Sequence, residues 1–83
     1  MLSVFPNPAH DYFILKINLA EFTGKGLINL YDVNGKIVQS HAFAGKQNQI
    51  VMPTTNLNSG LYLLVLDIDG NHAYSVKLTI IKQ

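Results

Sequence analysis

Turn-forming residues interrupt this chain so often that no segment keeps a helical period for ten residues, and that punctuation confines it to a β fold. Glycine, asparagine, aspartate and proline separate apolar stretches of five to eleven residues. Pro6 and Pro8 have no amide to donate, so Leu2 to Phe5 reads as an edge strand at most. Tyr12 to Leu19 reads as the first strong strand, with Phe13, Leu15, Ile17 and Leu19 on its core face. Gly24-Lys25-Gly26 reads as a turn into a strand from Leu27 to Val33, whose Ile28 and Leu30 point inward. Asn34-Gly35 predicts a type I′ hairpin, because both residues tolerate the positive φ that its two central positions need. Lys36 to Phe43 returns, with Val38 and Ala42 on one face and Ile37, His41 and Phe43 on the other.

A short strand from Gln47 to Met52 ends at Pro53. Leu61 to Ile68 is apolar enough to predict a central strand covered on both faces, one carrying Tyr62, Leu64, Leu66 and Ile68, the other Leu61, Leu63 and Val65. Asp69-Gly70 predicts a second tight hairpin, and Ala73 to Ile81 returns with Tyr74, Val76, Leu78 and Ile80 inward. Strands at this spacing, with a turn signal between each pair, predict an all-β, immunoglobulin-like antiparallel β-sandwich of about seven strands.

At 83 residues and 9.2 kDa the chain makes one domain, residues 1–83. A domain of this size buries only about 60–65% of its unfolded surface. With 48% hydrophobic residues and no cysteine, it must fold by burial alone, without a disulfide or a thiolate metal site. Its six cations are all lysines, scattered from Lys16 to Lys82, against five acids. The absence of arginine and of any basic cluster argues against a nucleic-acid partner. No apolar run approaches the roughly 18–20 residues of a membrane span, so no integral membrane segment is expected. The first residues lack the positive and apolar regions of a secretory signal. Met1 reads as the initiator of a piece excised from a longer natural precursor, so that any signal peptide belongs to the other end of that precursor.

Little here points to chemistry. Leu57-x-x-Gly60-x-Tyr62 resembles the tyrosine corner of Greek-key sandwiches, and Leu64 takes the place of the antibody-type cysteine. Asp32-x-Asn34-Gly35 and Asp67-x-Asp69-Gly70-Asn71 look like fragments of a calcium loop, but each is too short, and hairpins use the same residues for backbone reasons. His10, His41 and His72 have no zinc-like spacing and read as surface residues. Glu21 is the only glutamate, and no nucleophile elbow or phosphate loop occurs. The expectation is no catalytic residue, no metal site and no cofactor.

The order of the motifs carries more than any one of them. Phe5-Pro6-Asn7-Pro8, an apolar strand from Phe13 to Ile17, Tyr31-Asp32-Val33-Asn34-Gly35-Lys36 with Val38, then Leu57-x-x-Gly60-x-Tyr62 and a terminal strand with Lys77 and Lys82 follow one another. From Val4 to Lys82 the chain resembles the C-terminal sorting domain of proteins exported by the type IX secretion system of Gram-negative bacteria, in its type A branch. The resemblance implies a terminal domain that directs an N-terminal passenger, in cis, through the outer-membrane translocon. It also implies a surface sortase that removes the domain, and export through the periplasm to the cell surface or extracellular space. The terminal strand is expected at a sheet edge, where it could offer backbone groups to a partner while Lys77 and Lys82 supply charge. Alternatively those lysines are gatekeepers that keep the edge soluble. Two other functions compete: a carbohydrate-binding or adhesive sandwich appended to a secreted enzyme, which the lack of tryptophan disfavours, and an immunoglobulin-like spacer.

Overall fold

The computed structural model describes residues 2–17, 25–44 and 49–82. Seven strands follow in order: β1 (Leu2–Phe5), β2 (Tyr12–Ile17), β3 (Lys25–Tyr31), β4 (Ile37–Ala44), β5 (Gln49–Pro53), β6 (Gly60–Ile68) and β7 (Asn71–Ile80). They form two antiparallel sheets, β1-β2-β5 and β4-β3-β6-β7. This is the expected sandwich. Relative to the constant-type immunoglobulin arrangement, the fourth strand has left the fifth and pairs with the third.

Period-two alternation explains which residues meet between the sheets. Phe13, Leu15 and Ile17 of β2 and Ile50 and Met52 of β5 face Ile28 and Leu30 of β3, Tyr62, Leu64 and Leu66 of β6, and Leu78 and Ile80 of β7 in one buried cluster. Truncating such a side chain to alanine typically costs about 2–5 kcal/mol. The expected inward residue Leu19 lies outside the described residues, as do Gly24 and Gln47.

Several local expectations are corrected. Lys25 and Gly26 are not turn residues but open β3, and β3 ends at Tyr31 rather than Val33. Gly26 is glycine because of its cross-strand partner: a Cβ there would lie 2.1 Å from two ring carbons of Phe43. The hairpin at Asn34-Gly35 is not type I′, since only Gly35 has positive φ (80°). It is a type I turn closed by the Gly35 amide donating to the Asp32 carbonyl (3.1 Å), with glycine in the left-handed position that follows. Asp69-Gly70 does have the type I′ signature, at φ 52° and 85°.

The face assignment of β4 also changes. A register shift between Leu30 and Tyr31 leaves Val38 unpaired, so Val38 packs on the core although Phe43, of opposite parity, is buried in it. The largest correction concerns β6, which is central but only partly covered on its outer face. Leu61 and Leu63 are 48% and 39% exposed on the outer face, whereas Val65 of the same face is buried beside Asn29, its cross-strand partner on β3. Tyr74, expected inward, is 41% exposed near the open end of β7. β7 stops at Ile80, one residue before the expected Ile81.

Candidate functional site

The terminal strand and the proline segment are 70 positions apart in sequence, and the fold joins them. After β1 the chain leaves the three-stranded sheet and crosses to the free edge of β7. Phe5–Pro6 and Asn7–Pro8 are both cis. Prolines supply no amide donors, so the only side chain between them does the pairing: Asn7 Nδ2 donates to the Lys77 carbonyl (3.1 Å), and the Thr79 amide donates to Asn7 Oδ1 (3.0 Å). A carboxamide carries a donor and an acceptor like a peptide unit, and here it stands in for one residue of a strand.

Ala9 continues the pairing as a parallel bridge to Ile80. Its amide donates to the Thr79 carbonyl and its carbonyl accepts from the Ile81 amide, both at 2.8 Å. The Nδ1–H of His10 donates to the Ile81 carbonyl (2.8 Å). Ala9 is fully buried and belongs to the core cluster. Thr54, also fully buried, anchors the strap from behind: its hydroxyl donates to the His10 carbonyl, and its amide to the Asp11 carbonyl (3.0 Å). Beyond β7, the Lys82 amide donates to Ser59 Oγ (2.8 Å). Residues 77–82 are therefore held on both sides, and the part of the terminal edge that was expected to be open is closed.

Each sequence-singled residue now has a place. Pro6, Asn7 and Pro8 form the strap. Tyr31 ends β3, and Asp32, Gly35 and Lys36 make the turn after it, where Asp32 Oδ1 accepts from the amides of Asn34 (2.9 Å) and Lys36 (3.0 Å). Leu57 is buried in the loop before β6, and Gly60 opens that strand. The Tyr62 hydroxyl donates to the Asn58 carbonyl (2.7 Å), which is the tyrosine corner. Lys77 is exposed on β7 and makes no salt bridge among the described residues. Lys82 lies just past the strand, about 16 Å along the chain from Lys77 at the usual rise, so the two residues are not neighbours on the edge.

No role was read from sequence for Ala9, Thr54 or Ser59, and His10 was read only as a surface residue. Only one signal pointed to them: a segment whose prolines cannot donate must find its partners through side chains or through the residues just after it. Two of the aspartates singled out from sequence are engaged. Asp32 serves the hairpin, and Asp67 contacts the Nδ1 of His72 and accepts from Asn29 Nδ2 (3.4 Å), with Ser40 Oγ donating to Asn29 Oδ1 (2.6 Å). No group of three or more histidine or acidic side chains is gathered for a metal among the described residues. No helix is long and apolar enough to cross a membrane among them.

Comparison with known proteins agrees with this picture. The chain is 32% identical over 77 residues to an endo-acting ulvan lyase of Formosa agariphila, an alignment that takes in 93% of this chain and 14% of that enzyme. The chain thus spans about one seventh of the length of that relative. The family described as the secretion system C-terminal sorting domain matches residues 3–82. With β2 through β7, the strap and all of β1 but Leu2 inside the match, the chain belongs to that family: it is a type IX C-terminal sorting domain, a signal for export to the cell surface or extracellular space.

Proposed function

We propose that this domain carries an N-terminal passenger enzyme to the type IX translocon, is recognised there through its terminal strand, and is then removed by a surface sortase. The likeness to an ulvan lyase favours a lyase as passenger. The domain itself does no chemistry in this reading. The Asp32 carboxylate is engaged by two backbone amides of its turn, and that of Asp67 by His72.

The observation that carries recognition at the terminal strand is the unpaired, exposed Lys77 on an edge strand. Lys82 would act separately, at the tail that Ser59 holds. The test fuses the chain behind a signal peptide and a fluorescent passenger in a bacterium with a type IX system. Surface delivery should require the domain and should fall in a Lys77→Ala/Lys82→Ala form that still folds. Normal delivery by the folded variant would remove the lysines from the signal.

A further inference from the structure

The strap divides the edge of β7 into two parts. From Lys77 onward it is occupied by Asn7, Ala9 and His10. From Asn71 to Val76 no strand pairs with it among the described residues. Edge-directed backbone groups recur every second residue. Since Thr79 and the Lys77 carbonyl point to the strap, the amide and carbonyl of Ser75 and the amide of Lys77 point the same way. This stretch has the length of a short strand, about 20 Å.

Sheet edges are normally blunted by charge, proline or burial. Between His72 and Lys77 this one carries only Ala73, Tyr74, Ser75 and Val76. Beside it on the outer face lies a hollow of about 670 Å³. Leu63 and Val65 of β6 line it, with Tyr31 and Val33 from the end of β3 and the turn after it, and His72, Ala73, Tyr74 and Ser75 from β7. Of these, Ala73 and Ser75 are small, and Ser75 lies opposite Val65, so a side chain of an added strand beside Ser75 would reach over it into the hollow. Lys77, opposite Leu63 on the same face, stands at the end of the open stretch without an ion-pair partner among the described residues.

We propose that the open half of β7 is a strand-addition site for an extended segment of a partner protein, with apolar residues at alternate positions and a carboxylate placed to meet Lys77. Backbone pairing to Ser75 and Lys77 supplies register, the hollow takes the apolar side chains, and the unpaired ammonium selects the acid. The site rests on the export reading above and makes it specific: the signal is the uncovered part of the strand, and the strap prevents the same pairing from extending to the tail.

Ser75→Pro removes one edge-directed amide and leaves pairing with β6 intact, because proline is tolerated where the amide faces outward. The probe is a capped peptide of about six residues alternating valine and threonine, with one glutamate. Titrated into the isotope-labelled chain, it should shift amides of residues 71–77 and of Leu63 and Val65. Ser75→Pro should weaken it by about tenfold. Lys77→Glu should weaken it as well and should restore binding to a peptide in which lysine replaces the glutamate. No shifts at millimolar peptide, shifts on the three-stranded sheet, or a failed charge exchange would overturn the proposal. So would a dimer in sedimentation that Ser75→Pro dissolves, since the occupant would then be a second copy of the chain.

In the export assay, a folded Ser75→Pro domain should deliver its passenger about tenfold less well. Normal delivery by that variant refutes the strand-addition site while leaving the sorting function in place. Failure of the unaltered domain to deliver would refute the sorting reading itself. If Ser75→Pro does not fold, the charge exchange at Lys77 and the titration of the unaltered chain decide.

Discussion

Alanine at Gly26 probes how tightly the two central features of the four-stranded sheet, β3 and the ring of Phe43, are fitted. The new Cβ would lie 2.1 Å from Cε1 and Cζ of Phe43 and 3.0 Å from Cδ1. Carbon atoms pack at about 3.5–4.0 Å, so the ring must withdraw by about 1.4 Å. Phe43 is 4% exposed within the core cluster, and a ring in that position cannot retreat without displacing its neighbours or leaving the core. Overpacking of this kind costs about 1–3 kcal/mol. Loss of glycine's extra chain entropy returns about 0.5–1 kcal/mol. Gly26→Ala should therefore destabilise the fold by about 1–2 kcal/mol. At about 4–8 °C per kcal/mol for a domain of this size, its thermal midpoint should fall by about 5–15 °C.

The assay is thermal and urea denaturation followed by far-ultraviolet circular dichroism, run on a double-mutant cycle. Phe43→Ala alone should cost about 3–5 kcal/mol. In that background the clash is gone, and Gly26→Ala should change sign, becoming neutral or stabilising by up to about 1 kcal/mol. The sign change separates a seated ring from a general dislike of alanine at this position. An equal cost in both backgrounds, or a stabilising effect with Phe43 present, would refute the reasoning.

Tyr62→Phe should cost about 1–2 kcal/mol, because it removes the hydroxyl that satisfies the Asn58 carbonyl at a buried position; an unchanged denaturation midpoint would show the corner to be dispensable. Asn7→Ala should strip hydrogen-exchange protection from the Thr79 amide while the amides of β7 that pair with β6 keep theirs, and retained protection at Thr79 would mean that the strap does not depend on this side chain. Asp32→Ala should cost about 1 kcal/mol through two lost amide contacts in the turn, whereas Asp32→Asn, which keeps an acceptor oxygen, should cost less; equal effects would place the role of Asp32 in its charge.

What the sequence determined is what period two and local backbone chemistry can express. Phe13, Leu15, Ile28, Leu30, Leu64, Leu66, Leu78 and Ile80 were readable as core because alternation along a strand fixes the side a residue faces, whatever its partner. Asp69-Gly70 announced its turn because positive φ at two successive residues is a local requirement. The ordered set of motifs also carried the family. Local signals misled where a residue answers to something distant. Gly26 looks like a turn glycine, yet its reason is a ring on the facing strand. Leu61 and Leu63 look buried, but hydrophobicity cannot tell whether a second layer exists.

The candidate site was legible in its parts only. Prolines at 6 and 8 and lysines at 77 and 82 could be singled out, but that Asn7 and Ala9 would close one half of β7 and leave the other half open depends on contacts between opposite ends of the chain. The strands follow from local alternation of side chains; which sheet edge is covered follows from where the folded backbone brings unpaired donors and acceptors together, and only the tertiary structure decides that.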